Sequence, residues 1–152
     1  MEITIKKENA IAAFNKADTA GKALLEALLG KETFSQKITD RVKTFEDACA
    51  VAGEDPLNEN FSTGSDDEIA YKKLKVVVKA LNEGATLDYG NKNQQKWSPW
   101  FEYAGSGFRF LDTDCGCTDT RAAGGSRLCF KTEDLARYAG TQFIDLYNQF
   151  LK

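Results

Sequence analysis

An α+β fold follows from three features of the chain. The first half carries apolar residues at helical spacing, residues near 97–130 form an aromatic stretch punctuated by glycine, and helical spacing resumes almost to the C-terminus. The predicted architecture is a helical N-terminal half and a small three-stranded antiparallel sheet (about 97–130), packed against helices that include a long C-terminal helix. At 152 residues, 42% hydrophobic and 28% charged, the chain has the size and composition of one globular domain. Within a single domain 1–152, the expected division is a helical part 8–84, a β block 96–131 and a C-terminal helix 132–151.

Ala10, Ile11, Phe14 and Ala17 predict a short first helix, and Ala20, Ala23, Leu24, Ala27 and Leu28 a second that stops at Gly30. Ile38, Val42, Phe45 and Cys49 recur at spacings of four, three and four, which predicts one helix ending at Gly53 with Cys49 in the core. The polar segment 54–65 is a loop. From Ser65 as N-cap, Asp66, Asp67 and Glu68 place negative charge in a first turn, and Ala70, Leu74, Val77, Val78 and Leu81 form the stripe of a helix ending near Gly84. The lysines at 72, 73, 75 and 79 fall mainly off that stripe, on a solvated face.

Beyond Gly84 a polar connection leads into extended sequence. Trp97, Pro99, Phe101 and Tyr103 alternate onto one side of a strand, with Trp100 and Glu102 on the other; Pro99 argues for an edge. Ala104-Gly105-Ser106-Gly107 is a turn, and Phe108 and Phe110 alternate with Arg109 and Leu111 in the returning strand. A loop 112–125 and a third strand, Ser126 to Phe130, complete the block. Thr132-Glu133-Asp134 then caps a helix whose Leu135, Tyr138, Ala139, Gln142, Phe143, Leu146 and Phe150 face the sheet.

Composition excludes several functions. The longest apolar runs are pieces such as Val76-Val77-Val78, far short of the roughly 20 residues of a membrane helix. Residues 1–7 lack the order of a secretory signal, so the expected location is cytoplasmic with no membrane partner. Net charge is −3; residues 90–131 are mildly basic on an acidic body, too little for the electrostatic footprint of a duplex-binding protein. Histidine is absent, which removes the commonest general base and metal ligand, and no nucleophile–base arrangement appears. The four cysteines are expected as thiols.

Candidate sites concentrate in the β block. Trp97 and Trp100, beside a polar segment on an edge strand, are candidates for exposed binding residues, and Arg127 follows a Gly-Gly-Ser turn. Cys115, Cys117 and Cys129 present three thiols to a zinc ion, although the C-x-C pair is tighter than the usual zinc spacing and a fourth ligand is needed. Of the six aromatics within 97–110 most are expected in the core beneath the last helix, the alternative being a stacking platform for single-stranded nucleic acid or sugar.

Arg41-Val42-Lys43-Thr44-Phe45-Glu46-Asp47-Ala48-Cys49, the Ala80-Leu81-Asn82-Glu83-Gly84 junction, Lys96-Trp97-Ser98-Pro99-Trp100-Phe101, Gly125-Ser126-Arg127-Leu128-Cys129-Phe130-Lys131 and Tyr138-Ala139-Gly140 together resemble a family of small proteins from gut anaerobic bacteria and their phages and mobile elements. The resemblance spans roughly residues 38–152. It implies origin, and brings no assigned activity, cofactor or catalytic residue. The expected function is a non-enzymatic binding protein of phage or mobile-element origin, without cofactor, meeting a protein partner through the β block and loop 112–125. A zinc-stabilised module and a weak single-strand nucleic-acid binder stand as alternatives.

Overall fold

The computed structural model describes residues 4–34, 37–120 and 126–152. Contacts divide the chain into two compact units, Met1–Lys37 and Ile38–Lys152. In the first, α1 (Lys7–Lys16) and α2 (Thr19–Leu29) are the two expected helices, followed by a single turn, α3 (Lys31–Phe34). Asp18 caps α2 by accepting from the Gly21 amide at 2.8 Å, and Gly30 ends it at φ +80°, a conformation that favours glycine. Phe14 stacks on Phe34 with ring centroids 4.4 Å apart.

The second unit begins with a departure from expectation. Ile38 to Cys49 form two helices, α4 (Ile38–Arg41) and α5 (Phe45–Ala52), instead of one. The cause is local: Thr44 accepts from the Asp47 amide at 3.1 Å, while the Asp47 carboxylate accepts from the amides of Lys43 and Thr44 at 3.0 Å each. This capping box makes Thr44 a helix start in the middle of the apolar stripe. Val42, Ala48 and Cys49 still reach the core. The helix α6 (Asp66–Leu81) follows, and the expected stripe Ala70, Leu74, Val77, Val78 and Leu81 is buried throughout.

The β block is a hairpin of β1 (Lys96–Tyr103) and β2 (Phe108–Gly116), paired antiparallel around a turn in which Gly105 has φ +79°. β2 continues to Gly116, so residues 112–116, expected as loop, are strand. The register shifts between Trp100 and Phe101, where Leu111 is the extra residue on β2; beyond this bulge Phe101 packs on the core, while Tyr103, at the turn end of β1, is exposed.

Among the described residues the expected third strand is absent and the sheet has two strands. Residues Ser126–Leu128 form a 3₁₀ turn, and Phe130 alone pairs with β1, its amide and carbonyl bonding Trp97 at 2.7 and 2.9 Å. The polar groups facing the other way go to a side chain: Asn82 donates to the Cys129 carbonyl at 2.9 Å and accepts from the Lys131 amide at 3.0 Å. Asn82, 3% exposed at the end of α6, thus takes the place a strand ladder would occupy.

The C-terminal helix is broken as well. α7 (Glu133–Gln142) and α8 (Ile144–Leu151) meet at Phe143, whose φ −107° and ψ +29° leave the helical region. α7 lies against the hairpin at Gly140, where an added Cβ would stand 2.6 Å from Phe110 Cδ2 and 2.7 Å from Pro99 Cβ. Phe130, Leu74, Leu81, Val42, Val77 and Cys49 are the largest fully buried side chains of this unit. Among the described residues, no helix is long and apolar enough to cross a membrane.

Candidate functional site

Placing α8 against the hairpin creates the cavity of interest. The Asn148 side chain bonds both backbone groups of Phe108, accepting from its amide at 2.7 Å and donating to its carbonyl at 2.8 Å. Adjacent Gly107 leaves the room this requires, since a Cβ there would sit 2.6 Å from Asn148 Oδ1. With α8 so fixed, Tyr147, Phe150 and Leu151, at helical spacings of three and four, share the face that closes a cleft of about 370 Å³ beside β1 and the end of β2. That volume is in the range of small-molecule sites.

The interior is mostly apolar, but Lys96, Cys129 and Tyr147 of its lining, and Tyr89 beside Lys96, need separate accounts. Lys96 is 2% exposed, and its ammonium donates to the carbonyls of Cys117, Gln94 and Asn91 at 2.6, 2.7 and 3.3 Å, using all three of its hydrogens. It also lies 5.0 Å from the centroid of the Tyr89 ring, a cation–π contact. Lys96 therefore ties the connection before β1 to the chain after β2 and has no hydrogen left for a ligand. Burial pushes the Tyr89 phenol up from its ordinary 10.0, with contact to Cys129 adding to the effect. Burial likewise pushes the Cys129 thiol up, against the opposing pull of the Tyr89 hydrogen bond and the Lys96 charge.

Tyr147 is the fourth. Its ring packs on Phe101 with centroids 4.7 Å apart, and the residue is 3% exposed. Its hydroxyl has no hydrogen-bond partner among the described residues. Burial pushes this phenol up from 10.0, nearby Cys129 adding to the shift, so near neutral pH it is an uncharged donor. Buried polar atoms are nearly always paired, which makes this hydroxyl the feature of the cleft in need of a reason.

The expected site residues divide. Trp100, 44% exposed, lines the cleft together with Cys115 and Cys129. Trp97 does not: it is partly buried against the core cluster. Arg127 stands exposed on the 3₁₀ turn beside Leu128, a cleft residue. Cys117 contributes its carbonyl to Lys96. All four cysteines are thiols, and among the described residues no group of three or more Cys, Asp or Glu is placed to hold a metal ion. Of the segment 112–125, residues 121–125 lie outside the described residues.

Sequence reasoning missed Lys96, Tyr89 and Tyr147. Lys96 was one basic residue among six in its segment. For Tyr147 the available signal is spacing: it stands four residues after Phe143 and three before Phe150, on one helical stripe with both. Compared with protein-family models, curated proteins and solved structures, the chain matches none.

Proposed function

We propose that the chain is a non-enzymatic binding protein that meets a protein partner through the β1–β2 hairpin and the segment that follows it. The observation carrying this reading is the concentration of exposed large apolar side chains on the hairpin: Trp100, Tyr103 and Leu111 are 44%, 62% and 51% exposed. Exposed apolar side chains gathered on one element are what an interaction surface supplies. The bulge supports the same reading, because bulges re-aim a side chain, and here the extra residue is an exposed leucine. Binding is favoured over catalysis by the direction of the titrations at the cleft, where the Cys129 thiol and the Tyr147 phenol of its lining, and the Tyr89 phenol that contacts Cys129, are all held in their neutral forms. Single-stranded nucleic acid is the weaker reading, since Trp100 pairs across the hairpin with Asp112, and Asp114 and Asp119 lie at the cleft.

The test is a comparison of tagged chains. The wild type is expected to retain a protein from its host's extract that Trp100→Ala and Tyr103→Ala, both folded by circular dichroism, release. Equal retention by all three chains refutes the reading, and loss of fold in Trp100→Ala would show that this tryptophan is core.

A further inference from the structure

We infer that the cleft between the hairpin and α8 is a site for a small, uncharged, largely apolar molecule bearing one carbonyl-type oxygen, which accepts the hydrogen bond that Tyr147 does not make within the described chain. Three observations converge on this class. The cleft holds about 370 Å³, and Pro99, Phe101, Phe108, Leu128, Phe150 and Leu151 supply apolar walls. Tyr147 is one of the lining side chains, buried and with its hydroxyl unpartnered among the described residues, so an acceptor oxygen on a ligand would meet a donor whose desolvation is already complete. Charge argues against an anion: Asp114 and Asp119 both line the cleft, and Lys96, the one cation among the described lining residues, has all its hydrogens committed to backbone carbonyls. Less than 1 Å² of the hydroxyl is exposed, so a ligand reaches it as the neighbouring side chains give slightly.

The experiment is an NMR titration of the full-length, ¹⁵N-labelled chain with acetophenone, with cumene, which matches its shape but lacks the oxygen, and with benzoate, which carries a charge. Acetophenone is expected to shift the amides of Phe101, Phe108 and Leu128. Tyr147→Phe should weaken acetophenone about tenfold, the equivalent of one buried hydrogen bond, and leave cumene within about twofold. Benzoate should bind at least about tenfold more weakly than acetophenone. Equal effects of Tyr147→Phe on the two neutral probes, absence of shifts at those amides, or benzoate binding as well as acetophenone would each overturn the inference. Ligand-free Tyr147→Phe should melt no lower than the wild type; a lower melting temperature would show that the hydroxyl already has a partner in the chain, and would also overturn it. Leu151→Trp, which fills the cleft from the end of α8, provides the second variant: it should abolish acetophenone binding, and undiminished binding counts against this site. Trp100 lines the cleft and Tyr103 does not, so Tyr103→Ala is the variant that separates the partner experiment's outcome from this one.

Discussion

Lys96 places an ammonium where water hardly reaches and surrounds it with three carbonyl oxygens and the Tyr89 ring. Replacing it with methionine keeps the length of the side chain but leaves those carbonyls without their donor, at a cost expected to be about 2–3 kcal/mol by urea denaturation. Tyr147 gives a prediction with a definite sign in pH. Its folded-state phenol titrates above the ordinary 10.0, so the stability it contributes is complete below pH 10 and declines as the pH rises through the folded value. Beyond pH 10 the wild type should lose up to about 1.4 kcal/mol per pH unit through this group, and Tyr147→Phe should remove that component of the slope in urea midpoints taken from pH 9 to 11. Tyr89 shifts the same way and remains in the variant, so some alkaline sensitivity persists. The part of the site legible in the sequence was the part marked by composition, namely Trp100 with Cys115 and Cys129. Lys96 and Tyr147 were illegible because their roles come from neighbours far along the chain: Cys117 for the lysine, Phe101 for the tyrosine.

Caps and close approaches decide where the helices begin and how near they come to the hairpin. Thr44→Ala removes the acceptor for the Asp47 amide and should cost about 1 kcal/mol, read as a lower urea midpoint with an unchanged slope. Asp47 adds a pH signature. Hydrogen bonds from the Lys43 and Thr44 amides hold its carboxyl below the ordinary 3.8, so its contribution is present above that pH and disappears as the pH falls through the lowered value; Asp47→Asn should flatten that acid step. At Gly140 the added methyl of alanine would collide with Phe110 and Pro99, and because both belong to the paired strands neither can swing away. Gly140→Ala should therefore destabilise by about 1–3 kcal/mol despite alanine's better helix propensity. Most elements were legible because the apolar stripe of α6, the turn at Gly105 and the cap at Thr132 are local signals. The third strand and the two unbroken helices were misread for one shared reason. Periodicity records which residues face inward, and Val42, Cys49, Phe130 and Phe143 do face inward, but it does not record whether the backbone between them stays regular.

The apolar cluster that closes the second unit runs from Ile38 to Tyr147, with Phe150 and Leu151 packed against it, and every member lies within Ile38–Lys152. The ties that hold its parts in register are also internal to that unit. Asn82 at the end of α6 grips the chain around Phe130, the Tyr138 hydroxyl donates to the Val42 carbonyl at 2.7 Å, and Asn148 on α8 grips Phe108. These bonds link residues 40 to 96 positions apart in sequence, so none forms until the tertiary structure does, and they make the unit cooperative. A chain comprising residues 38–152 alone is accordingly expected to unfold in one sigmoidal urea transition and to keep the near-ultraviolet circular dichroism of Trp97 and Trp100. It should also keep the tenfold acetophenone difference between wild type and Tyr147→Phe, because every side chain lining the cleft is retained. A broad, probe-dependent transition would show instead that the first 37 residues are needed to complete the cooperative core. A single transition with loss of the acetophenone difference would place their contribution at the cleft.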